Sequence, residues 1–306
     1  MTRRELIATA LAAAPLSAKP RRVDKTRISA ITDEIARSPA DAIAFIKQYG
    51  LNLVELRGVP GGRSSYEALP EAELKAAAQE FASNGMRVSY LDAGLFKFSM
   101  PGTEPLRRAQ ETDAARQRPL ARDGEQFERR MEHIGRAIRA AKILGTDKVR
   151  IFTFSRVEDP IKVLPRVAQV FEPMVKMAEK AKVRLLVENE SSCNVATCAE
   201  LAALMKLLPS KWIGINWDTL NGGSRETAFP DGYRLLPKNR IGNVHIKGRS
   251  ILDGPQKQDW AAIFATMVKD GYRGSFGLET HIFGETQIQS SHASMKEILR
   301  VLESTS

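Results

Sequence analysis

Four side chains of types that bind metal ions recur at the ends of four similar apolar stretches. The stretches and their residues are RLLVENE (184–190) with Glu188, IGINWDT (213–219) with Asp218, IGNVHIKG (241–248) with His245, and GSFGLETH (274–281) with Glu279. The four residues are separated by 30, 27 and 34 positions, about one strand-plus-helix unit each. Three carboxylates and one imidazole form a mostly hard ligand set. This set suits one divalent ion: we expect Mn²⁺, with Mg²⁺, Co²⁺ or Zn²⁺ as alternatives.

The four stretches end a longer alternation of strand-like and amphipathic helical segments that begins at residue 27. Earlier strands are predicted at 27–33, 52–58, 87–94 and 148–155. The first helix is predicted to start at Ser38, an N-cap residue followed by Pro39, and to stop at Gly50. No glycine-rich phosphate turn follows an early strand, which argues against an open doubly wound sheet. We therefore predict an α/β fold, a single-domain (β/α)8 TIM barrel over residues 19–306, with the candidate ligands at its mouth.

Residues 95–123 interrupt this alternation. They contain Pro101, Pro105 and Pro119 and show little apolar periodicity. We predict a long loop there, which is typical of a lid, a binding loop or an insert. A single periodic helix is predicted from Gly124 to Gly145.

The N-terminus has the layout of a bacterial twin-arginine export signal. Paired Arg3 and Arg4 precede an apolar run and a small-residue end near residue 18. Residues 1–18 are therefore predicted to be a signal peptide and the protein to be exported or periplasmic. The run is too short to span a bilayer in the mature protein, so no stable membrane association is expected. The alternative is an uncleaved amphipathic helix.

Composition excludes some partners and leaves others open. The 306-residue chain has a formal net charge of +10, but its basic residues are dispersed and no aromatic-interleaved basic stripe is present, so no nucleic-acid partner is expected. Cys193 and Cys198 are five positions apart, which is neither a zinc nor a redox spacing, and we interpret them as packing residues. The sequence is compatible with a homo-oligomer.

Several of these motifs resemble one protein family. The stretches LLVENE, INWDTLN, NVHIKG and DWAAIFATMVKDGYRGSFGLETH resemble the xylose isomerase-like barrels, which group sugar isomerases and epimerases with inosose dehydratases and endonuclease IV-type enzymes. The resemblance covers about residues 27–305. It implies that Glu188, Asp218, His245 and Glu279 bind one metal ion and that the two glutamates also serve as acid and base. It also implies an isomerase or epimerase of a small sugar, working by proton transfer next to a carbonyl or enediolate oxygen that the metal binds.

Further polar residues near strand ends are expected to contact substrate. They are Glu55, Arg57, Arg156, Asn221, Lys247, Arg249 and His281. Asp92 has a similar position, and for the charged members a salt bridge or a surface location is the alternative. Two positions depart from the epimerase pattern: Asn221 stands where a histidine is usual, and Asn194 where an acidic residue is frequent. His133 and His292 fall in predicted helices and are not expected to take part in chemistry.

Other activities remain open. The same metal and base acting on a keto-sugar or inosose with a β leaving group would give a lyase or dehydratase. A non-catalytic sugar-binding barrel is a lesser alternative. An endonuclease IV-type trinuclear site is excluded, because strands two and three offer Arg57 and Asp92 instead of histidines.

Overall fold

Eight parallel strands form a barrel in the computed structural model, which describes residues 22–106 and 112–304. The strands are β1 Ile28–Ala30, β2 Leu53–Leu56, β3 Arg87–Leu95, β4 Lys148–Ile151, β5 Arg184–Glu188, β6 Ile213–Asp218, β7 Ile241–Lys247 and β8 Ser275–Glu279. Neighbours in the sheet follow the order β1-β8-β7-β6-β5-β4-β3-β2. A parallel bridge between Ile31 and Glu55 joins the β1 end to β2 and closes the ring. The predicted (β/α)8 barrel is therefore confirmed, while residues 1–18, the predicted signal peptide, lie outside the described residues.

Helices follow the strands and cover the outside of the barrel. They are α1 Thr32–Ile35, α2 Pro39–Gln48, α3 Glu71–Ser83, α4 Asp113–Glu128, α5 Arg130–Leu144, α6 Pro160–Ala181, α7 Cys198–Leu207, α8 Tyr233–Leu235, α9 Gly248–Ile251, α10 Trp260–Lys269 and α11 Gln287–Ser304. Their apolar faces and the strands form one continuous core. In the part of the chain that the structure describes, no helix is long and apolar enough to cross a bilayer.

Local sequence explains where several helices begin. The Ser38 side chain accepts a hydrogen bond from the Asp41 N–H, as its predicted N-cap role requires. Asp159 caps α6 through the Lys162 N–H. Thr197 and Glu200 form a reciprocal capping box at the start of α7. Each cap satisfies a helix N–H that would otherwise lack a partner, and so fixes where the chain leaves the preceding loop.

The segment after β3 differs from its prediction. Part of the predicted loop is helical: α4 begins at Asp113, after the N-cap Thr112, and includes Pro119. The predicted single helix from Gly124 to Gly145 is also wrong, because Arg129 interrupts it with a ψ of 6°. Most of the α4 side chains that the structure describes are exposed, so the sequence carries no apolar stripe that would predict this helix.

Candidate metal centre and mouth cavity

The four predicted metal ligands converge at the carboxyl ends of β5 to β8. Glu188, Asp218 and Glu279 are the last residues of β5, β6 and β8, and His245 lies within β7. One ligand atom from each lies within 4.8 Å of the other three, and all four residues are buried. Bonds of about 2.0–2.6 Å to one ion span such a cluster with small side-chain shifts. The strand-end pattern in the sequence therefore corresponds to one site in space.

Strand register explains how the site is arranged in depth. Asp218 pairs with His245 across β6 and β7, and Lys247 pairs with Glu279 across β7 and β8. His245 itself pairs with Gly277, where a Cβ would lie 2.2 Å from Glu55 Oε1. The missing side chain at Gly277 leaves room for the Glu55 carboxylate in the barrel interior, directly beneath the candidate ligands.

Glu55 orients the imidazole of His245. Glu55 Oε2 lies 2.9 Å from His245 Nε2, and Glu55 Oε1 accepts hydrogen bonds from Ser29 Oγ at 2.6 Å and Asn243 Nδ2 at 3.3 Å. The other ring nitrogen, Nδ1, faces Glu279 Oε2 at 3.4 Å. An imidazole that donates Nε2–H to a carboxylate presents Nδ1 as its metal-binding atom. The geometry thus assigns which nitrogen faces the candidate ion.

Two buried cations lie among the carboxylates. Lys247 Nζ is 2.7 Å from Glu279 Oε2 and 3.1 Å from Asp218 Oδ2. Arg150 Nη1 is 2.9 Å from Glu188 Oε2 and 3.5 Å from Asp92 Oδ1. These contacts partly compensate the carboxylate charge, which would otherwise be costly to bury.

The acids nevertheless outnumber the cations. In the described part of the chain, five carboxylates surround His245: Glu55, Asp92, Glu188, Asp218 and Glu279. The cations next to these carboxylates are Lys247 and Arg150. Arg57 is more distant, at 3.5 Å from Glu279. Asp92 Oδ2 is buried without a hydrogen-bond partner, while Asp92 Oδ1 and Asp218 Oδ2 have ion-pair contacts only, to Arg150 and His245 and to Lys247. Excess negative charge among buried carboxylates fits a divalent cation with a preference for oxygen ligands.

The carboxyl groups of the cluster differ in pKa because their surroundings differ. Burial opposes ionisation, but Arg150 lowers the pKa of Glu188 to about 2, and Lys247 holds the pKa of Glu279 well below its ordinary value. Burial instead raises the pKa of Asp218 to about 6 and that of Asp92 to about 7. Burial disfavours protonation of His245, yet Glu188 and Asp92 raise its pKa well above its ordinary value. The two glutamates are therefore ionised at neutral pH and can accept protons.

A cavity of about 790 Å³ opens above the cluster and is large enough for a sugar. Glu188 and Glu279 contribute to its wall together with four residues predicted to contact substrate: Arg57, Asn221, Lys247 and His281. Asn221 Nδ2 donates to Glu188 Oε1 at 3.2 Å, and His281 Nδ1 lies 3.7 Å from Glu279 Oε1. Asn221 and His281 thus each contact one of the two candidate proton-transfer residues.

Three other residues predicted to contact substrate do not line this cavity. Glu55 is fully buried beneath His245. Arg156 pairs with Glu200 at 2.7 Å, and Arg249 is exposed on α9. The structure thus places Arg156 in a salt bridge and Arg249 at the surface, the alternatives that the sequence left open, because a position near a strand end does not specify the direction of the side chain. Asn194 is also structural, since its amide bonds the Val157 N–H and the Thr153 carbonyl.

Two residues of the cluster were not predicted from the sequence. Arg150 lies within β4, where its guanidinium also donates to the carbonyls of Asp92 and Ala93. Asn216 on β6 donates to Glu188 Oε2 at 3.0 Å, and its Nδ2 is 3.1 Å from His245 Nδ1. The available signal is a polar residue between apolar neighbours within a strand, which indicates an inward-facing side chain with a partner.

The remaining cysteines and histidines lie outside the cluster. Cys193 and Cys198 are free and buried, consistent with their predicted packing role. His292 lies in α11 with Nδ1 2.7 Å from the Tyr49 hydroxyl, and His133 lies in α5.

Comparison with known proteins agrees with the fold. The family model described as xylose isomerase-like TIM barrel matches residues 43–304. Similar solved structures include 3-keto-D-glucoside 4-epimerase from E. coli in its apo form, with a TM-score of 0.67 and 14% identity, covering 90% of this chain and 99% of that one. L-ribulose 3-epimerase has a TM-score of 0.65 and 20% identity, with coverages of 92% and 95%.

A third similar structure contains a metal ion. It is a xylose isomerase-like TIM barrel protein from Mycobacterium smegmatis in complex with magnesium, with a TM-score of 0.65, 16% identity and coverages of 92% and 97%. No curated protein sequence matches the chain. The family model spans most of the chain, and the eight-stranded barrel agrees with it, so the protein belongs to the xylose isomerase-like TIM barrel family.

Proposed function

We propose that this protein is a divalent-metal-dependent isomerase or epimerase of a sugar, keto-sugar or cyclitol. The observation that carries the proposal is the pairing of two ionised glutamates, Glu188 and Glu279, within one four-residue ligand cluster beneath a sugar-sized cavity. The sugar epimerases among the similar structures support the same reaction class.

The residues that would hold the ion are Glu188, Asp218, His245 and Glu279. A bound divalent ion would act as a Lewis acid toward a substrate carbonyl and thereby acidify the adjacent C–H. We expect Mn²⁺, and the magnesium complex of a similar structure makes Mg²⁺ the main alternative. The carboxylate-rich donor set favours either ion over softer metals.

Proton transfer is assigned to the two glutamates. Their lowered pKa values leave both ionised at neutral pH, so each has a free carboxylate to receive a proton, and the transfer depends on strong acidification of the C–H by the neighbouring carbonyl. They stand on β5 and β8, with two strands between them, and a substrate seated between them would have one carboxylate on each face. Removal by one and return by the other inverts the carbon, whereas return to the neighbouring carbon by the same residue gives an isomer.

Polar groups around the glutamates would fix the substrate. Lys247 and Asn221 contact Glu279 and Glu188 respectively, and His281 lies at the cavity wall beside Glu279. Each can donate a hydrogen bond to a substrate hydroxyl or carbonyl oxygen. Such donors hold the acidic C–H within reach of the base, and orienting the reacting groups in this way lowers the barrier to reaction.

Export is proposed on the sequence alone. Residues 1–18 resemble a twin-arginine signal, so we propose that the enzyme works in the periplasm or outside the cell. Expression of the full chain in a bacterium, followed by fractionation, tests this proposal. A double Arg3→Lys, Arg4→Lys variant should remain in the cytoplasm with its N-terminus uncleaved.

Solvent exchange tests the reaction. The metal-free protein is reloaded with Mn²⁺ and incubated in D₂O with a panel of ketoses, keto-glycosides and inososes, and the products are analysed by NMR and mass spectrometry. Deuterium at carbon without loss of water supports an isomerase or epimerase. A dehydrated or cleaved product supports the lyase alternative, and absence of exchange with every sugar favours a binding protein. Glu132→Gln, at an exposed glutamate paired with Arg129 outside the cavity, serves as a matched control.

A further inference from the structure

A second cavity, of about 690 Å³, lies at the opposite end of the barrel from the mouth. It is bordered by the first residues of β2, β3, β4 and β8 and by the turn before β4. Five basic residues line it: Arg27, Arg87, Lys142, Lys148 and Arg273. Asp147 is the single acidic residue among the described residues of its wall. The cavity therefore has a strong excess of positive charge.

Most of these basic side chains have no hydrogen-bond or ion-pair partner in the described part of the protein. Arg27 is structural, since its guanidinium donates to the carbonyls of Gly274 at 2.9 Å and Tyr272 at 3.1 Å. Within residues 22–106 and 112–304, the side chains of Arg87, Lys142, Lys148 and Arg273 make no hydrogen bond or ion pair. Lys148 is the most enclosed of these four, and burial lowers its pKa. Lys148 is half-buried and feels Asp147 and Glu55 only at a distance, without a hydrogen bond to either, so an anion that reaches its ammonium would stabilise it further.

A buried hydroxyl at the same cavity also lacks a partner. Thr146 is only 5% exposed, lines the cavity, and its Oγ1 has no hydrogen-bond partner in the described structure. It is two positions before Lys148, in the turn that enters β4. Buried hydroxyls almost always have a partner, so an acceptor supplied by a ligand would satisfy Thr146 and neutralise Lys148 together.

The rest of the wall indicates the size and character of the ligand. Apolar side chains form one side of it: Leu53, Phe81, Met86, Val88 and Leu144. A cavity of this volume accommodates a small molecule but not a folded chain. Four unpaired cations next to an apolar wall suit a molecule with a multiply charged head and a less polar body.

We propose that this cavity is a binding site for a small phosphate-bearing anion, with the phosphate seated on Lys148 and Thr146. The phosphate oxygens would accept from the Lys148 ammonium and the Thr146 hydroxyl, and Arg87, Lys142 and Arg273 would supply further charge at the opening. Phosphate accepts several charge-assisted hydrogen bonds at once, as this donor set requires. The site is independent of the metal centre and of the reaction at the mouth.

Calorimetric titration of the full chain with inorganic pyrophosphate at low ionic strength tests the proposal. We expect saturable binding with one pyrophosphate per chain. Lys148→Met keeps an unbranched side chain that is one atom shorter and removes the charge, and Thr146→Val keeps the shape and removes the hydroxyl. Each should weaken binding about tenfold, as expected for losing one hydrogen bond to a charged group. The matched control is Lys211→Met, which removes the same charge from the neighbouring pocket at this end of the barrel and should change the affinity less than about twofold.

Several outcomes would contradict the proposed phosphate site. Absence of saturable binding would do so, as would an equal effect of Lys148→Met and Lys211→Met, since that indicates diffuse charge. Loss of binding in Arg63→Ala, at the mouth, would place the anion at the other cavity. Citrate binding as tightly as pyrophosphate would show that the site does not select phosphate. Thermal unfolding of Thr146→Val verifies folding, and this variant should be at least as stable as the natural protein if only an unpaired hydroxyl has been removed.

Discussion

Glu55 Oε2 lies 2.9 Å from His245 Nε2, joining β2 to β7 across the inside of the barrel. The contact makes Glu55 a positioning residue for the candidate metal centre, because it determines which imidazole nitrogen faces the ligand cluster. The sequence suggested a substrate contact for this residue, and the structure places it one layer deeper.

Glu55→Gln should weaken divalent-metal binding by about 10–100-fold, the usual cost of removing such a partner. The amide can still contact Nε2 but no longer favours the tautomer that leaves Nδ1 free. Titration of the metal-free protein with Mn²⁺ measures the effect, and Glu132→Gln, at an exposed glutamate on α5, is the control. Unchanged affinity would show that His245 does not need Glu55 to bind metal.

Gly277→Ala should destabilise the protein by about 1–3 kcal/mol, as overpacking of a core does. Its Cβ would lie 2.2 Å from Glu55 Oε1, so Glu55 must move and metal affinity should fall with stability. Urea unfolding gives the first quantity and Mn²⁺ titration the second. Gly124→Ala is the control: its Cβ meets nothing within 4 Å in α4, and the change should be neutral or stabilising by about 0.5–1 kcal/mol.

Lys247→Met should tighten Mn²⁺ binding by about tenfold or more. The substitution removes an ammonium 2.7 Å from Glu279 that competes with the ion, and it leaves the cluster with one more uncompensated negative charge. The metal-free variant should lose about 3–5 kcal/mol of stability, because breaking one side of a buried ion pair leaves charge uncompensated. Thermal unfolding with and without Mn²⁺ checks both effects. Lys97→Met, which breaks an exposed pair with Glu190, should change stability by at most about 1 kcal/mol. Weaker metal binding in Lys247→Met would indicate that the lysine assists the site.

Glu279→Gln should abolish turnover of any sugar that the natural protein converts, while retaining at least weak metal binding. The amide keeps one oxygen for the ion but cannot accept a proton from carbon. Isotope exchange and Mn²⁺ titration are measured on the same preparation. Full activity in this variant would rule out a mechanism in which both glutamates transfer protons.

Metal affinity should increase with pH between about 5 and 7. Burial raises the pKa of Asp218 to about 6, so below that value the ion must displace a proton from its ligand, and affinity falls by up to about tenfold per pH unit for each proton released. Calorimetry in buffers of different ionisation enthalpy counts those protons. His245, whose pKa is also raised, has to lose a proton as well, so the increase should continue above pH 7. Affinity independent of pH over this range would mean that neither Asp218 nor His245 loses a proton when the ion binds.

The sequence predicts the barrel well because its information is local and repeated. Each strand is a short apolar run ending in a polar residue, and the carboxyl ends of parallel strands meet at one face, so Glu188, Asp218, His245 and Glu279 could be grouped without a structure. The depth of the site could not be predicted. Whether Glu55 lies at the rim or beneath it depends on the stagger between β2 and β7 and on the missing side chain at Gly277, which are properties of the closed barrel.

For partners that come from inside strands, the sequence indicates an inward-facing polar side chain but not the carboxylate that it contacts. Arg150 stands between Val149 and Ile151, and only the assembled barrel shows that its guanidinium reaches Glu188. The α4 helix was missed for a related reason. Its largely exposed side chains leave no periodic apolar pattern, although Thr112 provides an N-cap.

The bridge between Ile31 and Glu55 links closure of the barrel to occupation of the candidate metal site. The backbone of Glu55 completes the ring of strands, while its side chain anchors the imidazole that faces the candidate ion. A ligand that holds His245 in place therefore also restrains the seam where the first and second strands meet. Metal binding would therefore stabilise the barrel at this seam as well as at its mouth.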